Sequence, residues 1–140
     1  MSKLNKAIWA ECLDDNLVSV QGVQPLKMHQ SDGTALPLVL DDSEERNFGA
    51  DLIRFASSEG VSLHTHVGAH ILLVTKGTGV LTYSGEKYEL FPGMIYLVPS
   101  NVPHVIHATT ELVLVAIGND HRPADSSERL ELIDKEKRDE

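Results

Sequence analysis

Cysteine is nearly absent from this chain of 140 residues: Cys12 stands alone, so no internal disulfide can form. That excludes a disulfide-framed secreted scaffold and predicts a reducing, cytoplasmic setting. Also lacking is any apolar run long enough to cross a membrane, and Lys3 and Lys6 are not followed by the apolar segment of a secretory signal. Neither a membrane span nor export is expected. Lys and Arg are scarce, 12 against 21 Asp and Glu, for a formal net charge of −9. A nucleic-acid surface needs clustered cations to neutralise phosphates, so no nucleic-acid partner is expected. The acidic excess sits in short solvated runs, at 41–45 and at the charged end of the chain, and such runs serve solubility. Internal repeats and low-complexity segments are missing too.

What fills the middle of the chain is a series of short strands cut by Gly and Pro. Residues 50–55 read as a strand, 57–60 as a turn, and 71–75 as a strand buried on both faces. Lys76-Gly77-Thr78-Gly79 turns the chain back into 80–83, Ser84-Gly85-Glu86 makes a tight turn, and Pro92-Gly93 closes a corner after 88–91. Strands at 94–98, 104–108 and 111–117 complete the series. With no helix between them, these predict an antiparallel sandwich or barrel. Residues 36–40 form an apolar strand containing Pro37, which suits an edge. Residues 17–21 alternate like a strand. After Gly118 the composition changes, and Ser126 or Ser127 is placed to cap a short helix carrying Leu130, Leu132 and Ile133. The organisation is therefore N-terminal strands over 1–45, a barrel over 46–118, and a C-terminal helix and charged tail over 119–140.

The chemistry concentrates at histidines. In an extended strand side chains alternate faces, so His64 and His66 point into one space. His70 follows beyond the small pair Gly68-Ala69, which lets the chain bend, and His104 lies behind Pro99-Ser100-Asn101-Val102-Pro103. Only a closed or sandwiched sheet brings the last beside the first three. A neutral imidazole nitrogen suits Fe, Ni, Cu, Zn or Co and suits Mg or Ca poorly.

At these positions the sequence resembles the cupin superfamily. That family's first motif, G-x5-H-x-H-x3,4-E-x6-G, is matched by His64, His66, His70 in place of the glutamate, and Gly77, with the leading glycine displaced to Gly60. Its second, G-x5-P-x-G-x2-H-x3-N, is matched by Gly93, Pro99, Asn101 in place of the glycine, His104, and Ala108 in place of the asparagine. The resemblance spans roughly residues 50–118. It implies an all-β double-stranded β-helix, a jelly-roll barrel, here with a short C-terminal helical tail. It also implies one divalent metal ion (Fe, Ni, Zn, Mn, Cu or Co) on His64, His66, His70 and His104, with positions left open for water or substrate. In resembling proteins an N-terminal strand often pairs with a second subunit, so a homodimer is expected, with Trp9 either one of its contacts or a cap on one end of its own barrel.

No single reaction follows, because this fold hosts dioxygenases, decarboxylases, isomerases, lyases, cyclases and plain binders. Histidine at position 70 removes the motif's carboxylate, leaving the ion's charge uncompensated and making it a stronger Lewis acid for an anionic or enolate-like substrate. The expected function is a metalloenzyme acting on a small organic substrate, dioxygenase-like if the ion is iron. The alternatives are a non-redox isomerase, lyase or cyclase, and a non-catalytic binding or sensing module. Tyr96 and Arg54 are the candidate catalytic side chains, with Tyr83, Glu89 and His107 behind them. His107 alternates to the outside of its strand, and His29 and His121 lie in turn-like surroundings that predict solvation.

Overall fold

Alternation builds the middle of the molecule. In the strand Leu112–Gly118, Leu112, Leu114 and Ala116 bury on one face while Val113, Val115 and Ile117 turn to the other. The computed structural model of the chain describes residues 4, 6, 9–10, 18–19, 25–41, 47–121, 126 and 130–133. Among these the strands, in chain order, are β1 (Trp9–Ala10), β2 (Val18–Ser19), β3 (Leu26–Lys27), β4 (Thr34–Asp41), β5 (Phe48–Phe55) and β6 (Gly60–Thr65). They continue as β7 (His70–Lys76), β8 (Gly79–Tyr83), β9 (Glu86–Leu90), β10 (Ile95–Val98), β11 (His104–Ala108), β12 (Leu112–Gly118) and β13 (Glu131–Leu132).

Two antiparallel sheets face each other. One runs β10-β7-β12-β5-β4-β3, the other β13-β6-β11-β8-β9, and β1 pairs with β2 in a separate ribbon. The main core lies between the two sheets. Phe55, Leu114 and Val74 from the first meet Val61, Leu81 and Ile106 from the second. Burying each such side chain contributes about 1.5–3 kcal/mol. Pro37 pairs with Asp51 of β5 next to a register shift between Pro37 and Val39, an irregularity of the kind at which a strand accommodates proline.

Several expectations are corrected. The sheets form an open sandwich rather than a closed barrel. No helix occurs among the described residues: Leu132 lies in β13, which pairs with β6, and Ile133 N–H donates to the Leu63 carbonyl at 2.9 Å. The apolar spacing of Leu130, Leu132 and Ile133 suits a strand as well as a helix, and the open edge of β6 needed backbone partners. Strand β7 is buried on one face only, since Ile71 and Leu73 are 44% and 37% exposed. β3 and β4, assigned above to an N-terminal region, are part of the six-stranded sheet. The side chain of Trp9, expected at a dimer contact or at one end of the barrel, lies outside the described residues.

Candidate metal centre

The register brings the distant histidine home. β11 pairs with β6 so that His104 lies opposite His64, and a bulge between His104 and Ile106 locally resets the ladder there. His66 follows the end of β6, where the loop before β11 is tied to it: Asn101 N–H donates to the His66 carbonyl at 2.8 Å. Asn101 has φ of 62°, the left-handed region. This explains asparagine where the motif carries glycine, because Asn tolerates that conformation better than other side chains.

The ring nitrogens of His64, His66 and His104 that face inward all lie within 4.8 Å of one another. Each Nδ1 meets a backbone carbonyl: Ser62 at 2.8 Å for His64, Gly68 at 2.6 Å for His66, and Val102 at 2.9 Å for His104. A carbonyl only accepts, so each Nδ1 carries the proton and each Nε2 keeps its lone pair. Burial reinforces this. It pushes the pKa of His64 from 6.5 to about 3, helped by the neighbouring His104, and that of His104 to about 4. Neutral imidazoles with Nε2 directed to a common point are a set of donors that fits a transition-metal ion.

These nitrogens open on a cavity of about 50 Å³. At roughly 10–15 Å³ per water, it admits an ion with a few waters or a small ligand. Apart from His64, His66, His70 and His104, every lining residue is apolar, among them Met28, Ile53, Phe55, Leu72 and Leu130. Met28 and Leu130 come from segments whose part in the site the sequence did not reveal.

His70 borders the cavity, with its ring 4.5 Å from that of His66, yet its nitrogens have other partners. Nδ1 meets the Gly68 carbonyl at 3.2 Å and Nε2 meets His121 Nδ1 at 3.0 Å. His121 is 3% exposed, not solvated as its turn-like surroundings suggested, and its Nε2 lies 2.6 Å from the Asp51 carboxylate. Asp51 and His121 are the residues the sequence reading missed. One signal was available: Asp51 alternates with Ile53 and Phe55 on the inward face of an apolar strand, where a charge needs a partner.

Neither candidate catalytic side chain lines the cavity. Arg54 pairs with Glu111 at 2.8 Å, a carboxylate shared with Lys76, on the opposite face of β5 from Ile53 and Phe55. Tyr96 packs against the core, its hydroxyl buried without a hydrogen-bond partner, and that burial raises its pKa. Glu89 and His107 are exposed.

A family model for the cupin domain matches residues 51–118. The chain belongs to the cupin superfamily. Among solved structures, this cupin is similar to a cupin-2 domain of Rhodospirillum rubrum, at 15% identity over 87% of this chain and 82% of the other, with a TM-score of 0.67. It is also similar to the salicylate 1,2-dioxygenase of Pseudoaminobacter salicylatoxidans, at 22% identity over 62% of this chain and 26% of the other, with a TM-score of 0.55. In sequence it is 30% identical over 96 residues to the mannose-6-phosphate isomerase of Schizosaccharomyces pombe. That match covers 68% of this chain but spans only 23% of the isomerase. No helix among the described residues is long and apolar enough to cross a membrane.

Proposed function

We propose that this cupin is a metalloenzyme that binds one divalent transition-metal ion on Nε2 of His64, His66 and His104 and acts on a small organic substrate, anionic or enolisable. The observation that carries this reading is three imidazoles, each held by a carbonyl on Nδ1, facing one apolar cavity. Such donors suit Fe, Ni, Zn, Mn, Cu or Co, and no lining carboxylate favours Mg or Ca. Three protein ligands leave positions open, which distinguishes a catalytic site from a closed structural one. When bound, the ion supplies Lewis acidity and, as iron, redox chemistry with dioxygen. The chain orients it through the three rings and excludes bulk water with Met28, Phe55 and Leu130.

Oxygenase-like chemistry fits this lining better than isomerisation, elimination or cyclisation. Those reactions need a side chain that moves a proton, and apart from His70, whose nitrogens already meet His121 and Gly68, no titratable side chain outside the three proposed ligands lines the cavity among the described residues. A sugar phosphate, named as the substrate of the yeast relative, would call for a cation, and no Lys or Arg lines it. The test is oxygen consumption by iron-loaded protein with a panel of small enolisable carboxylic acids and diketones. Uptake that disappears in His64→Ala is expected. Turnover with Zn or Ni but without oxygen uptake would favour the non-redox alternative, and binding without turnover under any metal would favour a sensing module.

A homodimer and a cytoplasmic setting belong to the same proposal. Ile71, Leu73, Ile95, Leu97 and Ile117 are all exposed on the outer face of β7, β10 and β12, paired across the sheet as Ile95 with Leu73 and Leu97 with Ile71. In a chain of net charge −9, this uncharged face is where two copies meet with least repulsion. Light scattering should give twice the chain mass for the parent and a monomer for Leu97→Lys. An unchanged mass would remove the face from the interface. The lone Cys12 supports the reducing compartment, which cell fractionation checks.

A further inference from the structure

A hydrogen-bonded chain runs beside the three-histidine cluster and is no part of it. From Asp51 Oδ2 it passes to His121 Nε2 at 2.6 Å, from His121 Nδ1 to His70 Nε2 at 3.0 Å, and from His70 Nδ1 to the Gly68 carbonyl at 3.2 Å. The two ends, a carboxylate and a carbonyl, can only accept. His121 Nε2 therefore donates to the Asp51 carboxylate, one N–H···N bond joins the two inner nitrogens, and His70 Nδ1 lies against the Gly68 carbonyl. Both ring nitrogens of His70 thus already meet partners other than a metal ion, Nε2 at His121 and Nδ1 at Gly68.

The fold makes a slot for this chain. Gly118 pairs with both Gly49 and His70 across neighbouring strands. A Cβ on Gly118 would meet the Ala69 carbonyl and come within 2.8 Å of His70 Cδ2, and one on Gly49 would come within 3.2 Å of His121 Cδ2. The segment that delivers His121 is itself anchored, since Asn119 Oδ1 accepts from Ala69 N–H at 2.9 Å and His121 N–H donates to the Asn47 carbonyl. Asp51 is 2% exposed, and a buried carboxylate persists only when paired.

We infer that Asp51 and His121 are positioning residues that hold His70 Nε2 off the metal, so that the site presents three histidine nitrogens instead of four. The ring of His70 lies against that of His66, yet only the nitrogens of His64, His66 and His104 form the close group, and the bonds of His70 to His121 and Gly68 hold its own nitrogens in their places. The withheld position stays open to substrate. The inference rests on the metal-binding reading above, and a wild-type protein that takes up no metal would overturn both.

The test is a Co(II) titration of the full chain, with the visible d–d spectrum reporting the donor set and chelator competition reporting Kd. His70→Ala should keep the wild-type spectrum and a Kd within about three-fold, whereas His64→Ala loses binding. Asp51→Asn and His121→Phe should alter the spectrum by adding a nitrogen donor and tighten Kd about ten-fold, the low end of what outer partners of metal ligands typically control. Adding His70→Ala to either variant should return the wild-type spectrum. A His70→Ala protein that binds Co(II) more than ten-fold weaker while His64→Ala also fails would make His70 a ligand and overturn the inference. So would folded Asp51→Asn and His121→Phe proteins, checked by urea midpoint, with unchanged spectra.

Discussion

Acid should destabilise the metal-free protein well before its carboxylates titrate. His64 and His104 have folded pKa values of about 3 and about 4, against 6.5 in an unfolded chain, chiefly because burial opposes their charged forms. Above pH 6.5 both groups are neutral in either state and exert no pull. As pH falls below 6.5 the unfolded chain takes up two protons that the native state refuses, so stability declines; the penalty is complete only below the folded values. Each group approaches about 1.4 kcal/mol per pH unit once the unfolded imidazole is mostly charged, so two groups over the interval from 6.5 to 5 remove roughly 3 kcal/mol. That is a large part of the 5–15 kcal/mol typical of a domain. Both side chains are nearly inaccessible, at 3% and 2% exposure, so solvent screening does little to reduce the figure. Urea midpoints of chelator-treated protein at pH 6.5, 6 and 5 measure it, and a drop of about 1.5 M is expected for an m-value near 2 kcal/mol per M. In His104→Gln the slope should halve. A flat midpoint over this interval, or an undiminished slope in that variant, would refute the reasoning.

Two further outcomes follow from packing. Gly118→Ala should destabilise the fold by about 3 kcal/mol, because the new methyl meets the Ala69 carbonyl, which is backbone and cannot step aside; an unchanged thermal midpoint would show that the slot for His70 is looser than described. Tyr96→Phe should leave stability unchanged or raise it by about 1 kcal/mol, since the lost hydroxyl has no partner. If that variant kept its stability but lost turnover, the hydroxyl would have to reach the substrate, against its observed position.

The histidine pair at 64 and 66 was legible because period two in a strand is a local rule, and His104 because a corner of Gly and Pro must return the chain. The β character of residues 47–118 followed from the same alternation. What escaped were matters of tertiary context. Leu130, Leu132 and Ile133 fit either periodicity, and only the open edge of β6 decides for a strand. Likewise, Arg54 is next to an inward Ile53, and one residue of parity places it with Glu111 on the outside. His70 matched its motif position, but its partner His121 lies 51 residues on, beyond the reach of any local pattern. Ile71 and Leu73 looked buried because a two-faced apolar strand reads the same whether a sheet layer or another chain is meant to cover it.

The central claim is that His64, His66 and His104 bind one ion together. Elemental analysis of protein purified without chelator, compared with His64→Ala and His104→Ala purified alongside, tests it most directly. About one transition-metal ion per chain in the parent, and nearly none in either variant while both remain folded, is the predicted result. A parent protein that stays metal-free even after incubation with Fe(II), Ni(II) or Zn(II), or variants that retain the full complement, would contradict it.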